Sequence, residues 1–425
     1  MFKVLKNLKE SWISVITIVL LLIVQAAGDL TLPDYTSKIV NVGIQNGGIE
    51  NVAPEVIRKS EMENMLIFTE GDDKILASYE EISKDNLDSA EYEKLVKKYP
   101  ALENESLYRI KKISSSEQDE LDSLMAKPLM MLSVTKQMPK EQLDQMLETV
   151  NQKLDDMQES ILEQAAIQEV KNEYKAIGMN TDSIQNQYII MAGLKMLGIS
   201  LIIMISAISI MCLSARVAAR LAKTLREKVF KKVLRFSNKE FSEYSTASLI
   251  TRSTNDIQQI QGLIAILFRV LVYAPIIGIG GFLRVLNQSD NSMAWIIGVA
   301  IVAILFVVAT LFIIAMPRFK KLQQLIDKLN LVAREILTGL PVIRAFNTEK
   351  KEEKRFDKAN MDLTKTNLFV NRAMSFMMPT LMLIMNGISL LIVWVGANGI
   401  DNGTMQVGNM MAFIQYSMQI IMSFL

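Results

Sequence analysis

The sequence predicts an all-α membrane protein, and three observations lead to that fold class. Half of the 425 residues are hydrophobic, and the mean hydropathy is +0.23. The apolar residues are gathered into uncharged stretches that are long enough to cross a bilayer as helices, which takes about 20 residues. One acidic and several basic segments separate these stretches, a partition typical of the two sides of a membrane. A water-soluble enzyme is therefore excluded as a description of the whole chain.

The spans are placed by hydropathy and by the requirement that their ends alternate between the two sides. Five uncharged stretches are apparent, and a sixth apolar stretch is interrupted by Arg269. We predict six transmembrane helices at residues 11–32, 187–215, 257–286, 292–317, 372–399 and 407–425. The alternative for the first is a cleaved signal peptide, because its Lys-rich start and the small residues at 26–28 fit one. Cleavage, however, would leave an odd number of spans.

The distribution of Lys and Arg gives the orientation. Segment 216–256 has ten Lys and Arg against four acids, and segment 318–372 has thirteen against seven. The short segments 285–292 and 398–407 have none. Because positive charge marks cytosolic loops, we expect the N-terminus and both basic loops in the cytosol. Residues 31–187, with 17 basic and 30 acidic residues, are expected outside.

This topology divides the chain into three parts. Residues 1–45 are the cytosolic start and first transmembrane helix, residues 46–182 an extracellular insert domain, and residues 183–425 transmembrane helices two to six with two intracellular loops. We predict that the insert domain is a small, mostly helical α+β ectodomain. Apolar residues spaced by three and four between 143 and 161 predict a helix. Segments 65–69 and 74–78, around a Gly-Asp turn, predict a strand pair.

The two basic loops are expected to be long and helical. No Gly or Pro separates residues 216–233 from the second span, and their apolar residues recur on one helical face. The same pattern follows Pro317. We therefore predict helices that run straight out of the membrane by roughly 40 Å, a length that would let them reach a soluble partner.

Three segments resemble one half of an ABC exporter of the multidrug type. Residues 32–44 resemble the end of its first helix, residues 241–257 its first intracellular loop, and residues 327–346 its second. The most specific match is Gly-Leu-Pro-Val-Ile-Arg-Ala-Phe at 339–346. The resemblance covers the chain except for the insert domain. It departs at Ala247, where the family usually has Gly, and in the length of the first external loop.

The resemblance implies a coupling role for the two loops. In such exporters each loop ends in a short helix that lies across the membrane normal and docks on nucleotide-binding domains. The matching positions are about 240–249 and 329–338, with Phe241 and Tyr244 as aromatic docking anchors. The residues expected to couple to the nucleotide-binding domains are Glu240, Phe241, Tyr244, Arg252, Asp256, Arg334, Glu335, Gly339 and Arg344. The alternative is that the charged residues only solvate long cytosolic helices.

A substrate cavity is expected among the spans. It would be lined by an isolated charge, by Met side chains that repack around varied ligands and by polar groups at membrane depth. The candidates are Arg269, Met382, Met385, Asn386, Gln415, Met418 and Gln419. Two alternatives remain: Arg269 snorkels to the inner interface, and the Met residues are ordinary packing or lipid-facing residues.

Catalysis is expected to lie elsewhere. The chain has no His and no Gly-x-x-x-x-Gly-Lys-Ser/Thr loop that would cradle phosphate, and its one cysteine, Cys212, allows no internal disulfide. We expect no catalytic residue and no bound cofactor or metal in this chain. ATP and Mg²⁺ are expected on a nucleotide-binding domain after residue 425, through which the intact protein would hydrolyse ATP.

The function implied by the resemblance is export of amphiphilic drugs or similar compounds by alternating access, in a bacterial plasma membrane. The expected partners are a second exporter half, nucleotide-binding domains, membrane lipid and the amphiphilic substrate, but no nucleic acid. A heterodimer is favoured, because two insert domains would crowd one dimer mouth. The alternatives are a peptide or lipid exporter that uses the ectodomain, and a membrane sensor or scaffold with a ligand-binding ectodomain.

Overall fold

The structure of the chain is a computed structural model. It describes residues 11–69, 72–84, 86–136, 159–237, 239–240, 246–286 and 293–423, and at residues 72, 90, 159–161, 269 and 270 it describes only the backbone. In chain order the helices are α1 (Trp12–Lys38), α2 (Lys59–Leu66), α3 (Asp72–Ala77), α4 (Ser89–Lys98), α5 (Ser115–Lys136), α6 (Glu159–Ile177), α7 (Thr181–Val233), α8 (Thr246–Ser253), α9 (Asn255–Phe268), α10 (Ala274–Leu286), α11 (Ala294–Ala345), α12 (Glu349–Asp401) and α13 (Val407–Ser423). The strands are β1 (Val56–Arg58), β2 (Tyr79–Ile82) and β3 (Leu107–Ile110).

Five helical segments of the described residues are long and apolar enough to cross a membrane. They are Trp12–Gln45, Thr181–Val233, Thr246–Leu286, Ala294–Ala345 and Glu349–Asp401. Two of them contain a π-helical segment, at Ile39–Gln45 and Arg269–Tyr273. The sixth predicted span coincides with α13, which has 17 residues. The chain is therefore a multi-pass membrane protein, and the number of six spans stays a prediction.

Three helices are much longer than a bilayer is thick. The helices α7, α11 and α12 have 53, 52 and 53 residues, or about 80 Å each at 1.5 Å per residue. The bilayer core measures only about 30 Å. The prediction that the second span continues without a break into the basic segment is confirmed, because α7 runs on to Val233.

The second loop differs from its prediction. Residues 329–338 do not form a separate short helix across the membrane normal, because they lie inside the continuous helix α11. No Gly or Pro interrupts the chain between Pro317 and Gly339, and α11 packs along α12. Neighbouring turns of two long helices therefore support each other up to the turn at Phe346, and no break is required.

The membrane helices pack around α1. It contacts α7 on one side and α10 and α13 on the other, while α12 packs against both α11 and α13. The buried residues at these contacts are mainly small or β-branched, such as Ala26, Ile277, Ile392 and Ala412. The alanines let helix backbones approach closely in a bilayer, where apolar burial alone does not drive association, and the isoleucines fill the space between the helices.

The insert forms a separate α+β unit with its own hydrophobic core. Its antiparallel sheet has the order β1-β3-β2, with Ile57 opposite Tyr108. The core includes Met62 and Met65 from α2, Leu107 from β3 and Met125 from α5. The predicted strand pair at 65–69 and 74–78 is wrong. The first segment ends α2 and the second belongs mostly to α3, since Met62 and Met65 are spaced to bury one face of a helix.

The insert is joined firmly to the first two spans. Gly48, with φ +84°, turns the chain out of α1, and a Cβ there would lie 2.7 Å from the Gln185 backbone. The Gln185 amide donates to the Gly43 carbonyl oxygen at 2.8 Å. Asn180 caps α7 by accepting a hydrogen bond from the Ser183 N–H at 2.9 Å. The domain thus sits directly on the ends of α1 and α7.

Candidate functional site

The first predicted coupling segment begins with a helix cap. The Glu240 carboxylate accepts hydrogen bonds from the Ser237 N–H at 2.8 Å and from its hydroxyl at 3.0 Å, and the Glu240 N–H donates back to the hydroxyl. This reciprocal arrangement is a capping box. The backbone hydrogen bond from Ser237, reinforced by its hydroxyl, lowers the pKa of Glu240. Phe241 and Tyr244 lie outside the described residues.

The rest of the first loop consists of short helices. The helix α8 covers eight residues and is followed at once by α9, so a short helix lies close to the segment 240–249. Arg252, in the last turn of α8, and Asp256, in the first turn of α9, are both exposed. Both side chains therefore lie where a soluble partner would reach them.

The second loop is the end of the α11–α12 hairpin. Glu335 on α11 forms an ion pair with Arg355 on α12, and Arg355 also binds Glu352 at 3.2 Å. Arg355 was not among the predicted site residues, because nothing in the sequence shows that α12 folds back along α11. Arg334 and Arg344 are exposed, and a Cβ at Gly339 would meet only Ile343.

An apolar groove opens at the tip of this hairpin. It has a volume of about 420 Å³, and its floor is made by side chains such as Ile336, Leu340 and Phe356. Glu349, Glu352 and Glu353 lie at its edge. Leu337, which lines the groove, is 73% exposed, and Phe346, where α11 ends, is 74% exposed. Exposed apolar surface rimmed by charge is typical of a protein–protein contact.

The predicted cavity residues of α12 do not converge on one space. Met382 and Asn386 are exposed, whereas Met385 packs against a small buried cluster that includes Ile421. Met418 on α13 is also partly exposed, at 39%. Arg269 begins the second π-helical segment, and only its backbone is described.

The two glutamines of α13 bind α1 instead. The Gln419 amide donates to the Asp29 carbonyl oxygen at 2.8 Å, and the Thr36 hydroxyl donates to Gln415 Oε1 at 3.5 Å. Both side chains face the bundle, as expected of polar groups at membrane depth. Their role in this structure is to hold helices together.

Sequence reasoning missed an ionic tie between three helices. Asp34 on α1 accepts hydrogen bonds from the Arg284 guanidinium on α10, with Nε at 2.9 Å, and from the Tyr416 hydroxyl on α13. One turn earlier, Asp29 accepts a hydrogen bond from the Tyr273 hydroxyl. The signal that could have found them is the presence of Asp29 and Asp34 in an apolar helix, since ionisable residues there usually have a partner.

A cluster of neutral hydrogen bonds lies one to two turns further on, at the end of α1 and in the first π-helical segment. The Ser37 hydroxyl donates to Asn409 Oδ1 at 2.8 Å, and the Asn41 amide donates to the same oxygen at 3.1 Å. Asn41 Oδ1 accepts a hydrogen bond from the Gly408 N–H at 2.7 Å. A Cβ at position 408 would lie 2.5 Å from the Ser37 carbonyl oxygen, so only glycine fits this contact.

The insert domain contains a buried charged network. Arg58 binds Glu173 through two hydrogen bonds, at 2.9 and 2.8 Å, and Lys136 bridges Glu61 and Glu169 at 2.9 and 2.6 Å. The hydrogen bond to Glu173 is the main reason that the pKa of Arg58 is raised. The network connects β1, α2, α5 and α6, so it fixes the helices around the sheet.

A polar cleft lies where the insert domain meets α7. Its volume is about 630 Å³, and Glu55, Tyr174 and Gln187 are among its lining residues. Glu55 accepts hydrogen bonds from Lys98 at 2.6 Å and from the Tyr99 hydroxyl at 2.8 Å. Burial opposes the charged carboxylate, but these bonds prevail and lower the pKa of Glu55. Among the described residues, no group of acids, His or Cys could hold a metal ion.

Comparison with known proteins gives a consistent family. The profile of the ABC transporter transmembrane region matches residues 143–424. Over 239 residues the chain is 35% identical to an uncharacterized ABC transporter ATP-binding protein of Mycobacterium tuberculosis, covering 56% of this chain and 40% of the relative. An uncharacterized ABC transporter ATP-binding protein of Bacillus subtilis is 33% identical over 212 residues, covering 49% and 36%.

A more distant relative has a named activity. The chain is 28% identical over 208 residues to an ATP-dependent lipid A-core flippase of Pseudomonas aeruginosa, covering 47% of this chain and 33% of the flippase. The matches to these three relatives thus span only between about a third and two fifths of the relatives' own length.

Proposed function

Because the chain belongs to the family of ABC transporter transmembrane regions, we propose that it is the membrane domain of an ATP-driven exporter that moves amphiphilic compounds out of a bacterial cell. Nucleotide-binding domains would supply the ATP site and Mg²⁺, and a different second half would complete the translocation path. The N-terminus and the ends of the long helices would lie in the cytosol, and the insert domain outside.

The observation that carries the proposal is the tip of the α11–α12 hairpin. The apolar groove there, with Leu337 exposed in its lining and Phe346 exposed where α11 ends, offers a docking surface for a nucleotide-binding domain. The helices behind it are continuous over about 80 Å. Closure of the nucleotide-binding domains would therefore reach the bilayer as a rigid-body movement of the hairpin.

The opposite end of the bundle supports the other half of an alternating-access cycle. Asp34 holds α1 to Arg284 on α10 and to Tyr416 on α13. If α1 separates from α10 and α13 when the external side opens, these bonds break at that step. In this proposal they form an external gate, whose strength sets how easily the outward-open state is reached.

Lipid export is the second candidate. It is favoured by the similarity to the Pseudomonas aeruginosa protein named as a lipid A-core flippase. In both candidates the cargo is amphiphilic, and Met382, Met418 and Asn386 would face it after the second half has joined. A lipid cargo predicts ATP-dependent movement of a labelled lipid between leaflets, whereas a drug cargo predicts accumulation of a soluble dye.

The coupling residues provide the test. We expect Phe241→Ala combined with Tyr244→Ala to abolish most transport and most substrate-stimulated ATP hydrolysis, since a lost aromatic anchor costs about 2 kcal/mol at an interface. Met382→Ala combined with Met418→Ala, at two exposed positions proposed to face the cargo, serves as the matched double variant, and should keep basal hydrolysis while changing the substrate profile. Uptake of a fluorescent amphiphile into inside-out vesicles and ATPase activity are measured on the full-length protein.

Two results would contradict the proposal. One is the absence of any ATP-dependent movement of amphiphile or lipid by the wild-type protein. The other is unchanged transport and stimulation in the aromatic double variant, which would remove the first loop from the coupling path.

Topology is tested separately with single cysteines. In a Cys212→Ser background, Lys351→Cys should react with a membrane-impermeant maleimide only after the cells are opened, and Lys74→Cys in the insert domain should react on intact cells. Lys74 and Lys351 are both exposed, so a lack of reaction reports the side of the membrane and not burial. Labelling of position 351 on intact cells would overturn the orientation.

A further inference from the structure

A cavity in the membrane part lies apart from the residues proposed above for cargo. It has a volume of about 400 Å³ and is enclosed by α1, α7, α9 and the second π-helical segment. Its walls include Leu22, Ile210 and Ala265, with Gln25 and Tyr273 as polar groups. This volume is within the range of about 300–1,000 Å³ that is typical of small-molecule sites.

The second observation concerns Ser214, a residue in the wall of this cavity. The residue is 4% exposed, and among the described residues its Oγ has no hydrogen-bond partner. Five residues earlier on the same helix, Ser209 donates to the Ile205 carbonyl oxygen at 2.7 Å, which is the usual solution for a helical serine in a bilayer. A buried polar group without a partner typically costs about 1–3 kcal/mol. The hydroxyl therefore offers a buried polar group to a ligand in the cavity.

The shape and chemistry of the cavity define what fits. It extends along α7 from Ala207 to Ala215, which is about 12 Å. None of the described residues that line it carries a charge, so an ionic head group would have no counter-charge. At its edge Ile208 and Met211 are 56% and 72% exposed, so the cavity opens toward the hydrocarbon region of the bilayer. An apolar chain with one neutral polar group satisfies each of these features.

We propose that this cavity binds the apolar chain of an uncharged amphiphile, whose hydroxyl or carbonyl group forms a hydrogen bond with Ser214 Oγ. The ligand reaches the site laterally, from the bilayer, between α1 and α7. Binding at this site does not require transport, so it stands or falls independently of the proposed function. A resident neutral lipid and an exported compound share this chemistry.

The test is photolabelling of the full-length protein in liposomes, together with its second half where one exists. The probe is dodecanol that carries a diazirine in the chain, and the matched probe is the same chain without the hydroxyl. We expect both probes to label peptides of α1, α7 and α9. Ser214→Ala should weaken labelling by the alcohol about fivefold, the effect of one neutral hydrogen bond, and should leave labelling by the alkane unchanged.

Cavity-filling variants give the independent control. Ala265→Leu and Ala207→Leu should each reduce labelling by both probes, whereas Ala309→Leu, at an exposed position of α11, should not. Thermal unfolding without probe should show Ser214→Ala at least as stable as the wild type, because it removes an unpaired hydroxyl. Competition by the exported compound or by a neutral lipid then identifies the natural source.

Three results would overturn the proposal. The first is equal labelling of the Ala265→Leu, Ala207→Leu and Ala309→Leu variants. The second is an equal loss of labelling by the alcohol and by the alkane in Ser214→Ala. The third is crosslinking of a Ser214→Cys side chain to the second half, which would mean that a protein segment fills the cavity.

Discussion

The two ends of the membrane bundle are built differently. At one end, here called the tied end, hydrogen bonds of Asp29, Asp34 and Asn41 join the first membrane segment to neighbouring helices. Asp29 binds Tyr273 of the second π-helical segment, Asp34 binds α10 and α13, and Asn41 of the first π-helical segment binds α13. At the other end, the tip of the α11–α12 hairpin exposes an apolar groove, and the ion pair Glu335–Arg355 is internal to the hairpin. The first end is held by hydrogen bonds within the chain, whereas the second presents surface suited to a partner.

This difference has a physical meaning for a membrane protein. In a bilayer the hydrophobic effect does not drive helices together, so close packing and hydrogen bonds between helices decide which helices associate. The hydrogen bonds of the tied end therefore help to determine how the spans assemble. The exposed end lies among basic segments and would meet water and a soluble partner. At the hairpin tip itself, the described contacts join α11 to α12 and leave the groove uncovered.

The largest effect is expected at Gly408, the closest contact of the tied end. In Gly408→Leu, the Cβ alone would lie 2.5 Å from the Ser37 carbonyl oxygen, and the rest of the side chain would add to this clash. It should also separate Asn41 from the Gly408 N–H. We expect a loss of about 3 kcal/mol or more, visible as a lower melting temperature of the purified protein.

The control for this prediction is Gly387→Leu in α12. A Cβ at Gly387 meets no atom within 4 Å, so the same substitution should leave the melting temperature nearly unchanged. Equal melting temperatures for the two variants would show that the tied end is looser than the structure indicates.

A smaller effect is expected from the ionic tie. Asp34→Ala leaves the Arg284 guanidinium and the Tyr416 hydroxyl without an acceptor, and should cost about 2 kcal/mol, the value typical of hydrogen bonds to a charged group. Combining Asp34→Arg with Arg284→Asp exchanges the two charges and should restore part of the lost stability. In a Cys212→Ser background, the buried Met405→Cys should react faster with maleimide in the Asp34→Ala variant, since the gate opens more often.

The ion pair at the hairpin tip is expected to contribute less than the ionic tie at Asp34. Glu335 and Arg355 are 45% and 49% exposed, so Arg355→Ala should cost less than about 1 kcal/mol, and added salt should remove the difference. If Arg355→Ala lost as much stability as Asp34→Ala, the hairpin tip would be held together as strongly as the tied end, which contradicts the comparison.

The sequence was a good guide to features that depend on local pattern. The uninterrupted helix from the second span to Val233 follows from apolar periodicity without Gly or Pro, and it is present as α7. The long uncharged apolar stretches correctly predicted a multi-pass membrane protein, whereas the orientation inferred from the acidic and basic segments stays a prediction. The sequence pattern led to a wrong prediction at residues 65–69 and 74–78, where two local signals disagreed. The Gly-Asp turn suggested strands, but the spacing of Met62 and Met65 selected a helix.

Long-range contacts could not be predicted in the same way. Asp34 and Arg284 are 250 residues apart, and only the packing of α1 against α10 brings them together. The Met residues of α12 were grouped by composition, yet the rotation of the helix exposes Met382 and packs Met385 inside. Which face of a long apolar helix points inward depends on its neighbours, and one sequence does not contain that information directly.

The smallest predicted effect lies where the tied end continues into the insert domain. Glu55 is hydrogen-bonded to Lys98 and Tyr99, which lowers its pKa below the ordinary value of 4.5. A carboxyl group with a lowered pKa in the folded state stabilises the fold fully above about pH 4.5, and this stabilisation is lost as the pH falls through the lowered value. Because the Glu55 side chain is half exposed, we expect a contribution below about 1 kcal/mol.

Melting temperatures of the full-length protein between pH 7 and pH 3 should fall more steeply for the wild type than for Glu55→Gln, which has nothing to protonate. Glu103→Gln, for which the structure records no ion pair among the described residues, is the matched control and should follow the wild type. Identical pH curves for the wild type and Glu55→Gln would show that Glu55 does not help to hold the insert domain together.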